Sequence, residues 1–285
     1  MPQLVGKEIG STGYGLMGFT WRAIPPPQEQ AFDAMRTAIK NGANFWNGGA
    51  FYGPREYNSL VLLERYFEKY PEDADKVVVS IKGGMNINGP GADGSPEGTR
   101  RAVDECLAQL NGRKFLDIFE FARRDPNVPM KATFRVLEDE YVKTGKLGGI
   151  SLSEVRAETI HEAVKHTKIV AVEVELSLFA TDVLENGVAA ACAQHNIPLI
   201  AYSPIGREKK GCTPAQLAIN WTKALSRRPG MPTIIPIPGA STVTCVEENT
   251  KELDITDEEM AEIDATLAKF TPAGNRYPDW VPVNT

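Results

Sequence analysis

The chain has 285 residues, a hydrophobic share of 42% and a net charge of −6, enough for two average domains or for one α/β barrel, which commonly reaches roughly 250 residues. It carries no basic block of the kind a nucleic-acid surface needs, and no apolar run approaches the roughly 18 residues of a membrane span. The start, Met1-Pro2-Gln3-Leu4-Val5-Gly6-Lys7, has no basic stretch leading into an apolar core; no secretory signal is expected, and the protein is expected to be cytoplasmic.

Along the chain, nearly continuous apolar runs of strand length alternate with segments of helical period. Gly15–Thr20 is the first candidate strand. Gln28–Asn41 follows as a helix, with Ala31, Met35, Ala38 and Ile39 on one face and Gly42 to end it. Ala43–Asn47 is the second strand, Leu60–Tyr70 its helix, and Lys76–Lys82 the third strand. Ser95 is a natural N-cap with Pro96 at the first helical position, opening a helix to about Leu110. The rhythm continues with strand Phe115–Phe121, helix Lys131–Lys143, strand Leu147–Leu152, helix Ala157–His166 and strand Ile169–Val174. Helix Val183–His195, strands Ile197–Tyr202 and Thr233–Ile237, and helices Val243–Leu253 and Asp257–Phe270 complete it, the last capped by Thr256. Eight strands, each followed by a crossover, predict a single (β/α)₈ barrel domain over residues 1–285, with a short N-terminal hairpin across the bottom and a C-terminal helix outside. The alternative is an open doubly wound sheet, but its Gly-x-Gly-x-x-Gly fingerprint at the first strand–helix turn is absent.

In such a barrel the chemistry sits at the C-terminal ends of the strands. Tyr52 follows the second strand and Lys82 ends the third, so a phenol and an ammonium meet over one cavity. A tyrosine is a poor acid, with an unperturbed pKa of about 10. A neighbouring cation favours its ionised form, which equips it to protonate a carbonyl oxygen as hydride reaches the carbon. The small-residue loop Ala201-Tyr202-Ser203-Pro204-Ile205-Gly206 lets backbone amides approach a pyrophosphate, and Tyr202 offers a flat aromatic face. Pro238-Gly239-Ala240-Ser241-Thr242 leads into a helix in a way that suits a phosphate, with Glu248 and Asn249 placed for an adenine or ribose. Cys106, Cys192, Cys212 and Cys245 stand at no metal-like spacing and only His161, His166 and His195 accompany them, so no metal site is expected.

These residues resemble the aldo-keto reductases, NADPH-dependent (β/α)₈ enzymes, from Gly15 to about Phe270. The specific matches are Asn47 through Gly53, Ser80-Ile81-Lys82, Ala201 through Gly206 and Ile235 through Asn249. Gly15-Leu16-Met17-Gly18, Thr20-Trp21-Arg22, Phe45-Trp46-Asn47, Ala122-Arg123 and Leu152-Ser153-Glu154 are most similar to the fungal pyridoxal reductase branch. The resemblance implies reduction of an aldehyde, pyridoxal, by NADPH. It implies that Tyr52, Lys82 and Asn47 form the catalytic group, and that Trp21, Ala122 and Arg123 face the substrate. Thr20, Trp21, Ser153, Glu154, Glu173, Tyr202, Ser203, Pro204, Ile205, Gly206, Gly239, Ser241, Thr242, Glu248 and Asn249 are implied to line the cofactor site.

The usual tetrad of the family is Asp, Tyr, Lys and His; here Asn47 stands for the Asp and Ala122 for the His. Without that carboxylate Lys82 is expected to keep its full field on Tyr52, with the Asn47 amide oxygen holding it. Losing the His leaves space beside Tyr52 for a substituted aromatic aldehyde, oriented by Arg123 or Trp21. Cys245 stands where the family has an arginine on the cofactor's 2′-phosphate, which weakens the expected preference for NADPH over NADH. The connection from Gly206 to Gly211 is about 40–50 residues shorter than the family's. The expectation is that a cofactor-covering segment is missing from the chain here, since a true deletion would remove the seventh outer helix. The altered tetrad keeps a second class of function open, a weakly active NADP(H)-binding sensor resembling potassium-channel β subunits.

Overall fold

The structure, a computed structural model, describes residues 1–86, 91–204, 212–269 and 285. Two short strands come first, β1 (Gln3–Leu4) and β2 (Lys7–Glu8), paired antiparallel around a turn in which Val5 and Gly6 both have positive φ. Then follow β3 (Tyr14–Gly15), α1 (Met17–Thr20), α2 (Gln28–Lys40), β4 (Phe45–Gly49), α3 (Ser59–Lys69), β5 (Val78–Gly83), α4 (Pro96–Leu110) and β6 (Leu116–Phe121). The chain continues through α5 (Met130–Val136), β7 (Leu147–Ser153), α6 (Ala157–Ala163), β8 (Ile169–Glu175), α7 (Val188–Gln194) and β9 (Leu199–Tyr202). Last come α8 (Pro214–Ala224), β10 (Ile234–Pro236), α9 (Val243–Asn249) and α10 (Asp257–Leu267).

Strands β3 to β10 form one parallel eight-stranded sheet in sequence order. Its two ends meet: Gly13 N donates to Pro236 O at 2.9 Å and Gly15 N to Pro238 O at 3.1 Å, so the sheet closes into the expected barrel. Closure brings backbones close enough that a Cβ on Gly15 would lie 2.9 Å from Ile237 O, which only glycine tolerates.

The expected strand over Gly15–Thr20 ends at Gly15, and the apolar residues after it turn into α1, burying Phe19 and Thr20. A run this short has no period that separates a strand from a helical turn. The other expected strands lie within two residues of the observed ones. Helix Val183–His195 is broken at Gly187, whose φ of 91° belongs to no helix; a 3₁₀ turn at Asp182–Leu184 precedes α7. Helix Lys131–Lys143 passes from α5 into a π-helical turn at Leu137–Val142, and the helix from Val243 stops at Asn249. Caps start the helices as read: Ser95 Oγ accepts from Gly98 N at 3.0 Å, and Thr256 closes a capping box with Glu259.

The seventh crossover keeps its outer helix. Helix α8 occupies it, opened by a capping box between Thr213 and Gln216, and it buries Trp221 completely. The connection from Gly206 to Gly211 itself lies outside the described residues.

Inside the barrel the strand period of two sorts side chains into layers. At the bottom Phe45, Val78, Ile118, Ala171, Ile200 and Ile235 pack with Leu4 and Ile9 of the N-terminal segment, so the hairpin is the floor. Further up the strands the inward positions turn polar: Asn47, Lys82, Glu120, Ser151 and Glu173, all buried. Register makes Lys82 the partner of Glu120, and Glu120 the partner of Ser151. The floor has an ionic lock of its own. Buried Asp117 accepts from Lys7 Nζ at 2.8 Å, Lys114 Nζ at 2.6 Å and Val79 N at 3.0 Å, joining the hairpin to β5 and β6. Asp117→Ala strands the buried Lys114 ammonium. It should therefore cost about 3–5 kcal/mol, measured as a lower urea midpoint at unchanged m-value.

Candidate active site

Tyr52 sits in the loop after β4, and three contacts fix it. Its carbonyl accepts from Thr20 Oγ1 at 2.6 Å, its N–H donates to Gly49 O at 3.1 Å, and its ring lies against Gly49. A Cβ at residue 49 would come within 2.8 Å of that ring, so the glycine is what lets the phenol reach the strand ends. Lys82, at the end of β5, is buried, and its ammonium lies 5.9 Å from the centre of the Tyr52 ring.

The Lys82 ammonium touches three more groups. Asn47 Oδ1 accepts from it at 3.0 Å, as expected. Glu173 Oε1 forms a close ion pair with it, and Glu120 Oε1 lies 3.1 Å away. The expectation that Lys82 directs its whole field at Tyr52 is therefore corrected: two carboxylates take the place of the one lost at residue 47. Glu173, read from the resemblance as a cofactor residue, has both oxygens engaged here, the second accepting from Asn47 Nδ2 at 2.6 Å.

Charge and burial set the proton positions. Burial pulls the Lys82 pKa down, but Glu120 and Glu173 outweigh it and the net shift is upward; Lys82 stays an ammonium. Burial raises the Tyr52 phenol, Lys82 lowers it, and Glu173 and Glu120 raise it again, leaving it pushed up to about 12. Tyr52 is thus a protonated phenol at neutral pH, a donor rather than a base. The expected lowering by Lys82 is present but does not win.

Trp21 and Phe51 wall the approach to Tyr52, with ring centroids 5.3 Å (Trp21–Tyr52) and 5.0 Å (Phe51–Tyr52) apart. They line an open hollow of about 590 Å³ with Thr20, Arg22, Ala23, Gly53 and Pro54, a size suited to a small organic ligand. Ala122 is buried just past β6, its N–H on Gly83 O at 3.0 Å. The Arg123 guanidinium folds back onto the Ala122 carbonyl at 2.6 Å.

The expected cofactor residues fall into two groups around the mouth. Ser153 and Glu154 end β7; Glu154 has a positive φ of 52° and accepts from Glu175 N and from the Tyr202 hydroxyl, at 3.0 and 2.9 Å. Ser153 Oγ is buried with no hydrogen-bond partner among the described residues, an orphan that a ligand amide would satisfy. Ser203 has a φ of 53° and Pro204 is buried, while Ile205 and Gly206 lie outside the described residues. After β10, Gly239 is exposed, Ser241 O accepts from Gln30, and Thr242 Oγ1 caps α9 through Cys245 N at 3.3 Å. Asn249 Nδ2 reaches Gly239 O at 3.4 Å, and Glu248 is half-buried beside it. The Thr20 hydroxyl is held by Tyr52. The orphaned Ser153 hydroxyl and the exposed Gly239 backbone fit a nicotinamide dinucleotide lying across the mouth. Among the described residues no cluster of His, Cys, Asp or Glu could hold a metal, and no helix is long and apolar enough to cross a membrane.

Glu120 is the site residue that the sequence reading passed over. Its signal was a carboxylate in phase with Ile118, on the inward face of a strand taken simply as an apolar run.

The model of the Aldo/keto reductase family matches residues 12–208. The chain is 36% identical to "Probable pyridoxal reductase 2" of Schizosaccharomyces pombe, over 97% of this chain and 97% of that protein. A Saccharomyces cerevisiae protein that also bears a pyridoxal reductase name is 33% identical, over 93% of this chain and 95% of its own. The crystal structure of an aldo-keto reductase from Klebsiella pneumoniae in complex with NADPH superimposes with a TM-score of 0.75, at 19% identity, covering 96% of this chain and 95% of that one. The chain belongs to the aldo-keto reductase family. It is an oxidoreductase by that membership, on a barrel its structural relatives share.

Restoring the family's Asp makes a direct test of this charge arrangement. Asn47→Asp would set a carboxylate where an amide now donates to Glu173. Burial and the Glu173 carboxylate beside it should raise the new Asp's folded pKa above its unfolded value of about 3.9, against the pull of the Lys82 ammonium 3.0 Å from Oδ1. Stability relative to the parent is then unchanged at acid pH and lost as pH rises toward that folded pKa. Melting temperatures of the two proteins from pH 4.5 to 8.5 should diverge with rising pH; parallel curves would contradict the arrangement.

Proposed function

We propose that the protein is an NADPH-dependent carbonyl reductase for aldehydes, converting pyridoxal to pyridoxine, with Tyr52 as general acid and Lys82 as the cation that steadies its phenolate. The observation that carries this is a protonated phenol, close to a buried ammonium, at the mouth of a barrel of this family and beside an aromatic-walled hollow. The names of the two yeast relatives support the substrate, and the NADPH of the Klebsiella pneumoniae structure supports the cofactor.

The chemistry that the cofactor supplies when bound is a hydride for the carbonyl carbon. The rest falls to the chain. Tyr52 donates its proton to the carbonyl oxygen as negative charge develops there. The phenolate left behind sits on the Lys82 ammonium, which Asn47 and Glu173 hold in place. Trp21 and Phe51 offer flat faces to a pyridine ring, and the small Ala122 leaves room for its substituents. Ser153, Glu154, Tyr202, Ser203 and the loop from Gly239 to Thr242 would hold the dinucleotide, with Glu248 and Asn249 at its far end.

Tyr52→Phe removes a proton that moves only in the transition state. It should lower kcat by about 10²–10⁴-fold with little change in KM, read from NADPH oxidation against a panel of aldehydes that includes pyridoxal. Retention of more than about a third of wild-type kcat, with hydride transfer as the slow step, would remove Tyr52 from the role. Tight NADPH binding by a wild-type protein that reduces no aldehyde would favour the sensor reading instead.

Cys245, exposed in the first turn of α9, should govern cofactor choice. A guanidinium there gains charge-assisted bonds to a 2′-phosphate. Cys245→Arg should therefore favour NADPH over NADH by about tenfold in relative Kd, after solvent screening. Titration of both cofactors by protein fluorescence checks it, and an unmoved ratio would place Cys245 away from the phosphate.

A further inference from the structure

Two carboxylates face one ammonium inside the barrel, and among the described residues neither Glu120 nor Glu173 pairs with any other cation. The neighbours that face them, Asn47 on β4, Ser151 on β7 and Tyr52 in the loop after β4, are neutral. The hydrogen bonds say which carboxylate differs. Glu173 accepts on both oxygens, from Lys82 and from the Asn47 amide. Glu120 is placed otherwise. Its Oε1 is near Lys82 but makes no directed hydrogen bond, and its Oε2 lies 3.0 Å from Ser151 Oγ. That serine oxygen is also 2.9 Å from the carbonyl of Ala171, which can only accept. A hydroxyl has one proton. If Ser151 gives it to Ala171, the contact with Glu120 needs a proton from the glutamate.

We propose that Glu120 is the proton store of this site, a neutral carboxylic acid at rest that reloads Tyr52 through Lys82 after each reduction. Burial and the Glu173 charge push its carboxyl up to about 8, although Lys82 and a Ser151 hydroxyl turned toward it pull the other way. The step balances. Tyr52 gives its proton to the substrate oxygen and becomes a phenolate; Lys82 passes an N–H proton to it; Glu120 passes its O–H proton to the Lys82 amine. The site ends with a neutral phenol, an ammonium and a Glu120 carboxylate, which takes a proton from solvent before the next turnover. Glu120 acts through Lys82 and is a positioning residue, and the step rests on Tyr52 being the donor in the reductase reading above.

The test has two arms. Infrared titration of the protein without aldehyde should show a buried carboxylic-acid carbonyl band that disappears with a midpoint near pH 8. The band should be absent from Glu120→Gln and present in Tyr52→Phe. In the kinetic arm, wild-type reduction of the best aldehyde should slow as pH rises through the same midpoint, because the store empties. Glu120→Gln should lose that alkaline limb and about 10²-fold in kcat, with little change in KM, and Glu120→Asp should restore part of both. No titrating band in the wild type, or a band that survives in Glu120→Gln, overturns the proposal, as does an alkaline limb that Glu120→Gln retains. Should Glu120→Gln fail to fold, the wild-type titration and Glu120→Asp, which should shift the midpoint, still decide. A wild-type protein that reduces no aldehyde overturns the reductase reading and the reloading step with it, while the band reports the Glu120 proton independently.

Discussion

A lysine ammonium enclosed by a closed sheet is the constraint around which this barrel's interior is arranged. An unpaired charge in that position would cost several kcal/mol in desolvation after relaxation. One carboxylate at 3.1 Å offers roughly 5 kcal/mol of Coulomb attraction at an effective dielectric constant near 20. Lys82 therefore needs partners on every strand that reaches it, and it has them: Asn47 from β4, Glu120 from β6 and Glu173 from β8. Between the apolar floor and the open mouth, one interior layer is polar because one cation stands in it.

The exchange of Asp for Asn at residue 47 is legible in those terms. Counter-charge has not been deleted from the site but moved to neighbouring strands, and the amide now bridges the cation and Glu173 with one donor and one acceptor. A carboxylate cannot play both parts. The field at Tyr52 then depends on how many protons the two glutamates hold. With Glu120 neutral, the Lys82–Glu173 pair is balanced and the phenol feels mainly its burial. With Glu120 ionised the cluster carries net negative charge, and Tyr52 becomes a still weaker acid. The acidity of the Tyr52 phenol is thus a property of the layer.

Much of this was written in local pattern. Apolar runs bounded by turn residues located the strands, and barrel topology alone placed Tyr52 and Lys82 at one mouth. What escaped were features that need register or partners. Leu16-Met17-Gly18-Phe19 is as apolar as a strand, and only the closing contacts of Gly13 and Gly15 with the segment Pro236–Pro238 show why the chain must turn there. Glu120 was hidden because a strand buried on both faces suppresses alternation; which face a single carboxylate takes becomes meaningful only once Lys82 is known to be its register partner. The pull of Lys82 on Tyr52 was visible, but its size relative to burial was not.

The seventh crossover keeps its wall beside a connection shorter than the family's. An alignment of 329 positions against 285 residues leaves more than forty positions where the Schizosaccharomyces pombe relative has no counterpart in this chain. The family match stops at residue 208, inside the short connection. Yet α8 begins at Pro214 with a complete capping box, packs along β10 and buries Trp221. The helix that covers the barrel is thus separable from whatever precedes it in relatives. Helix α8 and β10 keep this part of the barrel walled from Thr213 onward, with Trp221 buried beneath.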